Sequence, residues 1–314
     1  MRLVFSGIAV ALFLTACLGL LDAYPRFLMA QLGVLVIAVV SLNLLNGVAG
    51  MLSLASAAFM GVGGYGVLIL FGNVGIPLVA GIPLTLAGGW LAGWLMGLIA
   101  VRVSGLSLAI VTFGFVELFQ VFAREGGELA GDGYGLVVPP IMVPGVGPLT
   151  RNAITYGCVF TAAVVVVLTL ALTHSRIGRA WYAIKDHPVA AEMQGVNLAS
   201  MRAAAFAIAG AMATLAGILQ ALLLGITNPN LYTIQNSIGH VAMMIVGGAT
   251  GSVAGAVLGP AVLFLVPELF DFGQYREVLY GTALLCTLVV APRGLAGVWN
   301  DLARHGADLV LRRR

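Results

Sequence analysis

Nine apolar stretches follow one another down this chain, at about 3–21, 27–45, 51–71, 77–100, 104–122, 154–173, 203–224, 238–268 and 277–291. A run of about 20 apolar residues is what an α-helix needs to cross the hydrocarbon core of a bilayer. Only a helix satisfies its own backbone polar groups along such a run in lipid, so each stretch is read as helical. Of the 314 residues, 61% are hydrophobic and 9% charged, against about 25% charged in a soluble domain. No single globule hides that surplus, and a soluble enzyme is excluded. The expectation is an all-α polytopic membrane protein, with residues 1–314 forming a single transmembrane domain.

The stretch 238–268 is too long for one ordinary crossing and short for two. Its middle, Gly247-Gly248-Ala249-Thr250-Gly251-Ser252, is the natural place to reverse. It is therefore read as a short-armed hairpin that enters and leaves on one side, giving about eight full spans plus the hairpin, with ten spans as the alternative. Counting Lys and Arg on alternate sides puts Arg2, Arg102, Arg176, Arg179, Lys185, Arg202, Arg293, Arg304, Arg312, Arg313 and Arg314 on one side. Only Arg26, Arg124, Arg151 and Arg276 fall on the other. The positive side faces the cytoplasm, and both termini are expected there. The start of the chain imitates a secretory leader, with Leu14-Thr15-Ala16-Cys17 after an apolar run. An uncleaved first span is the simpler reading, because apolar segments keep following.

Two segments outside the membrane carry weight. The outer one, 125–152, is rich in Gly and Pro and holds Glu125, Glu128 and Asp132. The inner one, 174–202, contains a short helix signal: Pro188 opens it, Ala190 and Ala191 propagate it, and Gly195 closes it in a left-handed cap. A helix tied to a span at each end is a lever that a partner can push. The tail, 293–314, is expected on the same side.

Several chemistries are excluded by what is missing. The single lysine, Lys185, follows Ile184, so no phosphate-cradling loop of the G-x-x-x-x-G-K-S/T type exists in the chain. His174, His187, His240 and His305 never form H-E-x-x-H, and Cys17, Cys158 and Cys286 lie far apart in apolar stretches, so no metal site or disulfide framework is expected. No basic run carries interleaved aromatics, which argues against nucleic acid.

Polar and small residues inside the spans are the remaining candidates. Glu117 is the one acidic residue placed within a span, where a charge costs about 2.5 to 3.5 kcal/mol on insertion scales. It is read either as a pathway group facing protein or a wet cavity, or as a carboxylate reaching headgroups or Arg124. Asn43, Asn46, Gly47 and Gly50 share a face by i, i+3, i+4, i+7 spacing, and Ser53 and Ser56 begin the next element. These polar side chains are candidates for a translocation pathway. Gly89, Gly93 and Gly97 form overlapping G-x-x-x-G units, as do Gly247, Gly251, Gly255 and Gly259, and are read chiefly as close helix packing.

Taken together, five stretches resemble a known family, the LivM-type permease subunits of bacterial branched-chain amino acid ABC importers. They are Gly50 to Tyr65, Gly105 to Glu117, Gly178 to Gly195, Val246 to Pro260, and Pro292 to Gly297, in the family's order. Tyr65 and Thr112 fall in these stretches and join the pathway candidates. The inner segment is similar to the ABC-permease coupling motif E-A-A-x-x-x-G, with Val189 in place of the leading Glu. The resemblance implies that Gly178, Arg179, Ala190, Ala191, Glu192 and Gly195 couple to an ATPase. The partners it implies are two cytoplasmic ATPase subunits that bind the ATP, a LivH-like permease, and a periplasmic solute-binding protein that docks near the 125–152 loop. The chain itself needs no cofactor on this reading. Transport by alternating access across the bacterial inner membrane follows. The same machine carrying urea, short amides or another small solute is an alternative, and an ion-coupled secondary transporter a more distant one.

Overall fold

The structure is a computed structural model that describes residues 22–103, 105–139, 142–143, 147–148, 150–248, 251–269, 278 and 281–282. The stretch expected to span at 3–21, that at 277–291 apart from residues 278 and 281–282, and the tail 293–314 lie outside the described residues. Helix α1 spans Ala23–Asn43 and runs into a π turn, Leu44–Val48. Helix α2, Ser56–Leu68, ends in a second π turn, Ile69–Asn73. Then come α3 (Leu78–Arg102), α4 (Leu106–Glu125), α5 (Arg151–Thr173), α6 (Arg176–Asp186), α7 (Pro188–Met193), α8 (Leu198–Leu224), α9 (Ile234–Gly248) and α10 (Val253–Leu269). Among the described residues, six helices are long and apolar enough to cross a membrane: α1 and α2 with their π turns, α3, α4, α5 and α8. Each matches one expected stretch.

The helix ends sort onto two faces. Arg202, early in α8, donates from Nη1 to the Ala100 carbonyl late in α3 at 3.3 Å. The Arg151 guanidinium at the start of α5 lies over the Phe27 ring early in α1, 5.8 Å from its centroid. One face therefore gathers the ends of α1, α3 and α5, the starts of α4 and α8, and the connecting helices α6 and α7. We call it the lever face. The opposite face carries the described parts of the 125–150 loop and the connector after α8. A short 3-10 turn, Gly127–Ala130, follows α4 there. The loop also contains two small antiparallel ladders. Leu136–Val137 pairs with Ile226–Thr227, stitching the loop to the connector, and Met142–Val143 pairs with Gly147–Pro148.

Helices α1, α2 and α8 form the interior, while α3, α4 and α5 leave most of their surface outside it. The contact of α3 with α8 depends on absent side chains. A Cβ on Gly93 would collide with the Phe206 carbonyl, one on Gly89 with the Thr214 side chain, and one on Gly97 with the Ala203 backbone at 2.5 Å. Backbone therefore meets backbone along the line expected for this glycine series.

The second glycine series is arranged differently. Gly247, Gly251, Gly255 and Gly259 do not share one helix: α9 and α10 are bent by 116° relative to each other, and the four residues straddle the break. A Cβ on Gly255 would sit 2.7 Å from the Gly247 carbonyl, and one on Gly259 against the Met243 carbonyl. Three of the glycines thus press the two arms together. Gly251 lies in the break with φ +83°, against the Gly47 backbone. The reversal falls where the Gly-rich run placed it. The two arms start and finish on the loop face, where the Tyr24 hydroxyl in α1 donates to Glu268 Oε1 near the end of α10 at 2.7 Å.

Candidate functional site

The lever face is built from two helices of different character. Ser175 caps α6 by accepting the Gly178 N–H at 3.3 Å. Gly178 is required there because a Cβ would strike the Thr173 carbonyl. Gly178, Trp181, Tyr182 and Lys185 follow i, i+3, i+4, i+7 spacing and face the membrane body together. Trp181 is 1% exposed, and its indole N–H donates to the Met201 carbonyl in α8 at 2.9 Å. The Tyr182 hydroxyl donates to the Gly251 carbonyl at 3.3 Å, and the Lys185 ammonium to the Gly47 carbonyl at 2.7 Å. Burial raises the Tyr182 pKa above its ordinary value, so the phenol stays a donor at neutral pH. Arg179 is turned outward, with Nη1 on the His174 carbonyl at 3.1 Å.

Helix α7 has Pro188 in its first turn, and Gly195 follows it with φ +84°. The Val196 N–H returns to the Ala191 carbonyl at 3.1 Å, which closes the helix as its Pro and Gly implied. Ala191 is 5% exposed and faces inward. Ala190 and Glu192 face outward. Val189 is 73% exposed and Met193 86% exposed, at i and i+4, forming an apolar knob that points away from the body. Replacement of the motif's leading Glu by Val189 is what makes this knob apolar.

The polar residues expected to line a pathway divide into groups. The π turn ends the regular α-helical spacing before Gly50, so Asn43, Asn46, Gly47 and Gly50 do not form one stripe. The Asn43 amide donates to the Ser252 carbonyl at 3.3 Å and Gly47 lies on Gly251, both against the α9/α10 break. Asn46 instead pins the α1–α2 turn, its Oδ1 accepting the Ser53 N–H at 2.9 Å. Gly50, with φ +69°, lies against the Lys185 side chain. Helix α2 starts at residue 56, not 51, because Met51 to Leu54 are not helical.

That late start leaves backbone donors inside the protein, and side chains from distant helices take them. Thr112 Oγ1 accepts the Leu54 N–H at 2.9 Å, and Ser237 Oγ accepts the Ala57 N–H at 3.0 Å. Ser56 Oγ lies 3.1 Å from His240 Nδ1 and 3.4 Å from Ser237 Oγ. A helix breaks at membrane depth only where such partners satisfy it. Ser56, Ser237 and His240 are all buried. Sequence reasoning missed Ser237 and His240. Their i, i+3 spacing within an apolar span was the available signal, since polar groups at such depth are costly without partners.

Tyr65 and Glu117 lie apart from this cluster. Tyr65 is buried among the rings of Phe119, Phe122 and Tyr232, with centroids 5.7, 6.4 and 6.1 Å away. Glu117 faces outward from α4, alongside the exposed Phe113, Leu118 and Val121. It makes no hydrogen bond or ion pair among the described residues. The neighbouring Gln120 turns inward and donates from Nε2 to the Pro229 carbonyl at 2.8 Å, anchoring α4 to the connector after α8.

Comparison with known proteins bears on what this arrangement serves. The chain is 27% identical to the high-affinity branched-chain amino acid transport system permease protein LivM of Escherichia coli K12, over 92% of this chain and 76% of that protein. It is 29% identical to the permease protein LivH of the same organism over 47% of this chain and 48% of that protein. The autoinducer 2 import system permease protein LsrC of Yersinia pseudotuberculosis is 25% identical over 74% of this chain and 67% of that protein. No solved structure matches. With multiple apolar helices it is a multi-pass membrane protein, and since residues 24–290 match the model of the branched-chain amino acid transport system permease component, the chain belongs to that family of transport permeases.

Proposed function

We propose that this chain is the membrane-spanning subunit of an ATP-driven importer of branched-chain amino acids in a bacterial inner membrane. It pairs with a LivH-like permease, receives substrate from a periplasmic binding protein on its loop face, and is driven by two ATPase subunits on its lever face. The observation that carries this reading is α7, a short capped helix projecting an apolar Val189–Met193 knob from a segment tied to the spans at both ends. A knob of this kind needs an apolar cleft to receive it, as a coupling helix has in an ATPase. Arg102, Arg176, Arg179, Lys185 and Arg202 belong to this face and support its cytoplasmic placement by the positive-inside rule.

The residues around the α1–α2 turn, Asn43, Asn46, Ser53, Ser56 and Thr112, are the proposed inner part of the translocation path, with Tyr65 nearer the loop face. Glu117 faces away from the chain body, where a second permease subunit would shield it from lipid. A carboxylate near the middle of a 20-residue span is poorly placed against hydrocarbon. Likeness to LsrC favours a second reading, in which the same machine carries another small solute. Reconstitution with candidate ATPases, a LivH-like subunit and a binding protein separates these readings. Uptake of radiolabelled leucine that needs ATP and every component is expected. Uptake driven by an ion gradient without ATPases contradicts the proposal.

A further inference from the structure

The only lysine in the chain and the tyrosine one turn before it reach two places where the membrane helices are irregular. Lys185 Nζ donates to Gly47 O in the π turn that ends α1, and the Tyr182 hydroxyl to Gly251 O in the break between α9 and α10. Those two places also touch each other. A Cβ on Gly47 would lie 2.8 Å from Gly251 Cα, so the backbones are already in contact. Asn43, one turn before Gly47, donates to Ser252 on the far side of the same break. One face of α6 thus holds both discontinuities, while Trp181 on that face holds the start of α8.

The chemistry suits a mechanical link. The last carbonyls of a helix have no following N–H to accept and carry the negative end of its dipole, so an ammonium is a fitting cap. Backbone with irregular hydrogen bonding is easier to displace than a regular α-helix, and motion of α6 reaches these points without crossing a rigid span. Gly50 fits the same design. With φ +69° and no side chain, it allows the Lys185 stem to lie directly against the backbone, where a Cβ would be 2.7 Å from Lys185 Cγ.

We infer that Lys185 and Tyr182 are positioning residues that couple the lever to the transport path. They hold the α1 π turn and the α9/α10 break to α6 as one moving unit, so that displacement of α6 and α7 shifts both discontinuities together. Neither residue touches an ATPase or substrate in this scheme. The inference rests on the reading of the chain as an ATP-driven permease.

The test uses the complete importer in proteoliposomes, with radiolabelled leucine uptake and ATP hydrolysis measured side by side. Wild-type uptake is the gate: if the wild-type complex does not import, the importer reading fails, whatever the tethers do. Given import, Lys185→Met and Tyr182→Phe assemble and hydrolyse ATP within about twofold of wild type, but leucine moved per ATP falls about tenfold, the consequence of losing a hydrogen bond of ordinary net strength. Lys185→Arg, which still donates to a carbonyl, retains at least about half of the coupling. If Lys185→Met fails to assemble, the Gly50→Cys/Lys185→Cys pair decides. Reduced, it is uncoupled. Oxidised to the disulfide it regains coupling, because the lever and the α1 end move together, whereas Lys185→Cys alone does not respond to oxidant. Wild-type leucine per ATP in Lys185→Met and Tyr182→Phe overturns the inference. So does a disulfide-locked pair that stops transporting while its reduced form transports.

Discussion

The ammonium of Lys185 lies 2.7 Å from the carbonyl oxygen of Gly47, a contact that spans 138 residues of chain and joins the lever to the end of the first described span. Around it, the Trp181 indole and the Tyr182 hydroxyl each reach the backbone of a different helix. The lever is thus fixed to the membrane body by three donors from one turn and a half of α6, all directed at carbonyls. Its outer face and α7 stay free to meet a partner.

Trp181 combines the largest fully buried side chain among the described residues with one of these donors. Trp181→Phe keeps most of the packing and loses the bond to Met201, at a cost of about 1 kcal/mol. Trp181→Ala also leaves a cavity and costs about 3 to 5 kcal/mol. Thermal unfolding of the purified protein in detergent is the measurement, and Trp181→Ala is expected to melt well below Trp181→Phe.

The Val189–Met193 knob is open to solvent, so changing it leaves the fold alone. Met193→Glu is expected to weaken binding of the ATPase subunits by about tenfold or more, since burying a Met side chain is worth about 1.5 to 3 kcal/mol. Its melting temperature stays at the wild-type value. Co-purification with the ATPases, alongside a melting curve, separates the two effects.

Glycines of identical composition differ in consequence. A Cβ on Gly93 meets the Phe206 carbonyl, whereas one on Gly114 meets nothing within 4 Å. Gly93→Ala forces α3 from α8 and is expected to cost about 1 to 3 kcal/mol, in the range of overpacking. Gly114→Ala is neutral or slightly stabilising in the isolated chain, because Ala favours a helix over Gly by about 1 kcal/mol. Detergent melting curves of the two variants check the contrast.

The start of α2 depends on Ser237. Ser237→Ala leaves the buried Ala57 N–H without its acceptor, which costs about 1 to 3 kcal/mol. Ser56→Ala keeps that backbone bond and is expected to cost about half as much. Hydrogen exchange at Ala57 gives the direct readout, rising in Ser237→Ala and little changed in Ser56→Ala.

How far the structure could be read from the sequence depends on the range of each contact. Six spans were legible because an apolar window and a helix have the same length. The α9/α10 reversal was legible in Gly247 to Ser252, and α7 in Pro188 and Gly195, because these are local conformational signals. The π turn at Leu44–Val48 carried no such signal, and it disrupts the stripe expected from Asn43 to Gly50. Lys185 and Tyr182 showed helical spacing but not their targets, since Gly47 and Gly251 are backbone acceptors far away in the chain. Ser237 and His240 escaped for the same reason: Ser237 accepts the Ala57 N–H and His240 lies against the Ser56 hydroxyl, partners far away in the chain that meet them only once α2 begins late.

A lever face that meets motor proteins in the cytoplasm fixes where Met193→Cys can be labelled. With a membrane-impermeant maleimide, the expected result is no labelling of intact cells, rapid labelling of inside-out vesicles stripped of ATPase subunits, and protection when those subunits are restored. Labelling of Met193→Cys from outside intact cells would contradict it.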